Sequence, residues 1–204
     1  WHRGRRRWDA ALARDPLIAV LDGLDPANVL PVGQALLKAG VHVMVVAFNS
    51  PAALESVRLL VKTLPPQTLV GALAPLARPC DVRAVRAAGG SLIAVPCANG
   101  CTSWWAKALG LASLVCACTP CEARSAWEAG ADALVAAPEL VPLAGLHAWR
   151  SVLPEHRSVV LMGITKSAVG CTGTAGVDAI GVTICSLADT ATDVLDRARQ
   201  WLAK

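Results

Sequence analysis

Cys116, Cys118 and Cys121, with Cys97 and Cys101 a short way upstream, form the densest run of metal-capable side chains in this sequence. Thiolates at close spacing are what a zinc or iron–sulfur centre requires. This run lacks the paired C-x-x-C units of a closed site, so no metal is expected and the thiols are read as small buried hydrophobes. Cys80, Cys171 and Cys185 are scattered, and disulfides are not expected in a reducing compartment. His2, His42, His147 and His156 lie away from the ends of the apolar runs, there is no tyrosine, and no Ser-His-Asp constellation appears. No cofactor is called for.

Charge and apolar content narrow the function classes next. The chain has 204 residues with a net charge of +4, much of it in the first eight residues, where Arg5, Arg6 and Arg7 stand between Trp1 and Trp8. Residues 1–15 are therefore expected to be a basic arm and lead-in helix that meets a membrane surface or an acidic partner, without sequence-specific nucleic-acid binding. Its arginines, behind a first residue that is not methionine, fit an organellar address in plastid or mitochondrion better than a secretory one, the alternative being cytoplasmic. Apolar residues make up 54% and charged residues 17% of the chain. No apolar run reaches the roughly 18 residues a bilayer span needs. Such a composition points to protein partners.

The seven tryptophans sharpen that point. Trp104, Trp105, Trp127, Trp149 and Trp201 fall on segments read as outer helices. Neighbours on a helix point about 100° apart, so Trp104 and Trp105 cannot both enter one core. Trp104, Trp105 and Trp149 are expected at an interface, and Trp127 and Trp201 in packing between helices.

These side chains must be positioned by a repeating unit. A helix, a glycine and a short apolar strand recur at 36–46, 86–95, 128–135 and 174–182. Glycine just past a helix ends it in the left-handed conformation, and an uninterrupted apolar run is what a parallel strand buried on both faces needs. Eight strands are expected, at 17–21, 42–48, 69–73, 91–95, 113–118, 133–137, 159–163 and 179–184, each before a helix. Helix starts are read at Asp25-Pro26, Ser50-Pro51 and the capping box Thr119-Pro120-Cys121-Glu122. Eight such units make one α/β domain over 16–204, a (β/α)8 TIM barrel. An open doubly wound sheet is the rival, and its glycine-rich phosphate fingerprint is missing.

The stretches Leu17-Ile-Ala-Val-Leu-Asp-Gly23, Val45-Val-Ala-Phe-Asn-Ser-Pro51, Val70-Gly-Ala72, Leu92-Ile-Ala-Val-Pro96, Cys118-Thr-Pro-Cys-Glu-Ala123 and Glu128-Ala-Gly-Ala-Asp-Ala-Leu134 resemble the KDPG and KHG aldolases, in register from about residue 16 to 203. The names stand for 2-keto-3-deoxy-6-phosphogluconate and 4-hydroxy-2-oxoglutarate. The resemblance implies a Schiff-base lysine, a proton-moving glutamate, an arginine and a threonine on the substrate carboxylate, and glycine loops for phosphate. It sets those positions at Val135, Val45, Asp22 and Ala74 in turn. The family's paired glycines after the seventh strand read Met162-Gly163, and its Gly-x-Gly-Ser after the eighth reads Gly181-Val182-Thr183-Ile184. Glu139 and Leu140 replace its serines.

An alkyl side chain can neither add to a carbonyl nor relay a proton, and an aspartate repels a carboxylate. Lys166, just beyond the seventh strand, is the one amine near the mouth, and it is read as a solvated lysine with no base beside it. The expectation is a catalytically inactive barrel serving as a structural subunit of a larger assembly, with trimerisation implied by the resemblance. The alternatives are an active class I aldolase that cleaves 2-keto-3-deoxy-6-phosphogluconate to pyruvate and glyceraldehyde 3-phosphate, and a small-molecule-binding regulator.

Overall fold

In the computed structural model, residues 3–73, 78–96, 100–137, 141, 143–154, 158–164 and 177–185 are described. Eight parallel strands form one closed barrel in chain order, with the last hydrogen-bonded to the first. They are β1 (Leu17–Leu21), β2 (Val43–Ala47), β3 (Leu69–Leu73), β4 (Leu92–Val95), β5 (Ala112–Cys116), β6 (Ala133–Ala136), β7 (Ser158–Ile164) and β8 (Ala179–Ile184). Among the described residues the helices are α1 (Arg3–Leu12), α2 (Pro26–Lys38), α3 (Ala53–Thr63), α4 (Pro79–Ala87), α5 (Gly100–Ala108), α6 (Pro120–Glu128) and α7 (Leu143–Val152). Closure excludes the open sheet, and each strand lies within two residues of its expected bounds.

Alternation along each strand divides the core in two. Ile18, Val20, Val43, Val45, Leu114, Val135 and Val160 fill the barrel interior. Leu17, Ala19, Leu21, Met44, Val46, Val115 and Leu134 face the other way, into the layer packed with Leu36, Val57, Leu60 and Leu146 of the helices. Both faces are buried, which is why these strands read as continuous apolar runs. Gly71 is required where β3 meets β4, because a Cβ there would lie 2.1 Å from the carbonyl oxygen of Leu92.

The basic arm is not free. It is α1, which packs against β5 and β3 and inserts Trp8, 0% exposed, into the interior cluster. Gly4 lets the helix touch the backbone of Leu111 and Ala112, where a Cβ would come within 2.5 Å. Arg5 pairs with Asp9 at 3.3 Å, Arg7 donates to the carbonyl oxygen of Pro66 at 3.0 Å, and Arg6 points to solvent. An apolar stripe beneath the arginines thus seats the segment, so it does not reach outward as an arm.

Other expectations are corrected too. Trp149 is 1% exposed and belongs to the outer core layer, so it is no interface residue. Trp104 is 51% exposed, while Trp105 is half-buried against the same layer, edge-to-face with Trp104 and under the Arg83 guanidinium. Cys80, Cys101, Cys118, Cys121 and Cys185 are exposed, so these thiols are not core hydrophobes, whereas Cys116 is half-buried and packs against the interior cluster. Cys97, Cys171, Lys166 and Trp201 lie outside the described residues. No helix among the described residues is long and apolar enough to cross a membrane.

Candidate functional site

The carboxyl ends of the strands surround a cavity of about 310 Å³. Strand alternation, continued past the strand ends, aims its lining: Val20 of β1 and Asp22 just after it, Ala47 of β2 and Asn49 just after it, Cys116 of β5, Val135 of β6 and Ala137 just after it, Met162 of β7 and Thr183 of β8. No lysine, arginine or histidine is among the described lining residues.

Local sequence places the polar side. Asp25 caps α2 by accepting from the Asn28 amide at 2.8 Å, which fixes the loop that carries Asp22. The Asp22 amide donates to the carbonyl oxygen of Ile184 at 3.0 Å, continuing the β1–β8 ladder past the strand. Ser50 does not start α3 as expected. That helix begins at Ala53 behind Ala52 with φ 49°, and the Ser50 hydroxyl accepts from the Gly23 amide at 3.0 Å. This bond ties the loop after β1 to the loop after β2 and brings Asp22 and Asn49 to neighbouring loops. Val20 and Thr183 are register partners, so Thr183 lies on the same side.

Val135 is 6% exposed, at the floor of the cavity, next to its register partners Cys116 and Val160. Val45 is fully buried in the interior, between Val20 of β1 and Gly71 of β3 in register. Of the positions set by the resemblance for lysine, glutamate and arginine, Val135 and Asp22 line the cavity, whereas Val45 is packed in the barrel interior and is not among its lining residues. Ala74, Glu139 and Leu140 lie outside the described residues. Gly163 is in the backbone of β7, and Gly181 packs against Met162, whose Cγ lies 2.8 Å from where a Cβ would stand.

Sequence reasoning missed Asn49 and Cys116 as lining residues, whereas Met162, read at the phosphate end, does line the cavity. The signal was available in the two-residue alternation, since Asn49 continues Val43, Val45 and Ala47, and Cys116 continues Ala112 and Leu114. The three lysines among the described residues, Lys38, Lys62 and Lys107, are carried on the outer helices α2, α3 and α5. No cluster of three metal-ligating side chains is found among the described residues.

A closed parallel barrel with its cavity at the strand carboxyl ends is the layout of the TIM-barrel enzyme class. The chain belongs to the KDPG and KHG aldolase family, which it matches over residues 8–169. A protein of Rhizobium meliloti named as a probable 2-dehydro-3-deoxy-6-phosphogalactonate aldolase is 32% identical over 149 residues, which is 72% of this chain and 70% of that one. The 2-dehydro-3-deoxy-6-phosphogalactonate aldolase of Escherichia coli is 31% identical over 164 residues, 77% of this chain and 75% of that one. The native KDPGal structure superimposes with a TM-score of 0.75 at 28% identity, covering 92% of this chain and 91% of that one.

Proposed function

We propose that this chain is a small-molecule-binding member of the aldolase family that does not run the Schiff-base reaction. The observation that carries this reading is Val135, buried on the cavity wall where the resemblance sets the amine, with Val45 fully buried in the barrel interior where it sets the proton carrier. Asp22 adds to it. A substrate carboxylate about 4 Å from the Asp22 carboxylate would be repelled by roughly 1 kcal/mol in water and about 4 kcal/mol at the effective dielectric of a protein surface. What the mouth offers is a preformed hollow with a mostly apolar wall, the usual form of a ligand pocket.

The structural-subunit role finds less support. Arg5 and Arg7 are engaged within the fold and Trp149 is buried, which leaves Trp104 on α5 as the large apolar side chain most open to a partner among the described residues. Self-association through that face, a trimer included, is compatible with a binding barrel.

A second reading is an active aldolase acting on a 2-keto-3-deoxy-6-phospho sugar acid. The names of its relatives favour it, with Lys166 as the amine. Incubation with pyruvate and borohydride, followed by intact-protein and peptide mass spectrometry, separates the two. The binding-barrel reading expects no covalent adduct. A reduced pyruvyl adduct on Lys166 would sink it and establish the second.

A further inference from the structure

Resting on the binding reading of the mouth, we infer that the cavity takes a small cation, a primary amine on a compact apolar body, and discriminates against carboxylates. Its polar groups are gathered on one side. Asp22 and Asn49 stand on neighbouring loops joined by the Gly23–Ser50 hydrogen bond, and Thr183 is beside Val20 on the adjoining strand. The facing wall is made by Ala94, Val135 and Ala137.

Among the described residues, nothing compensates the charge on the polar side. Asp22 is half-buried and forms no ion pair with any described residue. The described lining residues supply no positive charge for an anion, whereas the Asp22 carboxylate, the Asn49 amide oxygen and the Thr183 hydroxyl can all accept from an ammonium group. Charge-assisted hydrogen bonds of that kind are the stronger class. Among the described lining residues, the arrangement favours a monocation with an apolar end against Val135.

Cyclohexylamine, cyclohexanol and cyclohexanecarboxylate differ only in the group that would face Asp22, and their binding is measured by calorimetry and by protein NMR at neutral pH. The amine is expected to bind at least tenfold more tightly than the carboxylate and more tightly than the alcohol. Asp22→Asn should remove the preference for amine over alcohol, and added salt should weaken the amine alone. Leu73→Trp, which fills the cavity from its half-buried rim, should abolish binding of all three. The inference is overturned by a carboxylate that binds as well as the amine, by a preference that survives Asp22→Asn, by binding that survives Leu73→Trp, or by no binding of the amine at all. These outcomes are independent of borohydride trapping, so loss of the amine preference and loss of the non-catalytic reading are told apart.

Discussion

Asp132 and Ser113 lock β5 to β6 at the amino end of the barrel. The Ser113 amide donates to the Asp132 carboxylate at 2.9 Å, and its hydroxyl lies 3.4 Å from the same oxygen. Asp132 is only 4% exposed. Burial raises its carboxyl pKa above the ordinary 3.8, against the lowering pull of the Ser113 amide, Lys107 and Arg5.

A raised folded-state pKa means that the native protein holds this proton more tightly than the unfolded chain does. The stabilising contribution is then complete below pH 3.8 and is lost as the pH rises through the raised native value. Asp132→Asn keeps an acceptor for the Ser113 amide and cannot ionise. Its urea midpoint relative to wild type should therefore climb as the pH is raised above 3.8, then level off. A relative midpoint that falls with rising pH would show that Ser113, Lys107 and Arg5 outweigh burial.

Trp8 is the side chain on which closure of the amino end depends. It is 0% exposed, sits in the interior cluster, and its indole N–H points at the Ser158 hydroxyl 3.4 Å away. Trp8→Ala should cost about 3–5 kcal/mol, and Trp8→Phe less, in equilibrium denaturation. A loss below about 1 kcal/mol would mean that α1 is an appendage and the arm reading was right.

How much of this was legible varies by element for physical reasons. The eight strands announced themselves because burial on both faces removes polar residues from the run, and glycines such as Gly40, Gly89 and Gly130, all at positive φ, punctuate the units. The seating of α1 was hidden by its arginines, although Gly4, Trp8 and Ala11 fall on one helical face and carried the signal. Trp149 was misread for a related reason. Leu146, Trp149 and Leu153 recur at a core-facing period, which outweighs the tryptophan's preference for interfaces. Exposure of the cysteines had no sequence signal, since a thiol fits either environment. The cavity was legible in position from the barrel topology, but its polar grouping depends on the diverted Ser50 hydroxyl, which the Ser50-Pro51 helix start concealed.

Trp104 and Trp105 separate surface from packing within one pair. Their rings meet edge-to-face at 5.2 Å, yet Trp105 also contacts the outer core layer and Arg83. Trp104→Ala should change monomer stability by no more than about 0.5 kcal/mol, and Trp105→Ala by clearly more. If α5 is a contact face, sedimentation analysis should show Trp104→Ala dissociating at concentrations where wild type stays associated. An unchanged mass distribution would remove α5 from any interface.

Val135→Lys tests whether a missing lysine alone explains the proposed silence. The new amine would enter a site that is 6% exposed beside Val160 and Cys116, so stability should fall toward the upper end of the roughly 0.5–3 kcal/mol typical of point substitutions. Pyruvate release from 2-keto-3-deoxy-6-phosphogluconate should stay at the background rate, because Val45 offers no base and Asp22 still repels the substrate carboxylate. Residues that act as a unit are strongly non-additive, so turnover should emerge only when Val135→Lys is combined with Val45→Glu and Asp22→Arg. A coupled assay for pyruvate across the single, double and triple variants reads this directly. Turnover by Val135→Lys alone, close to that of the triple variant, would mean that Val45 and Asp22 are bystanders and that the rest of the mouth is still built for the reaction.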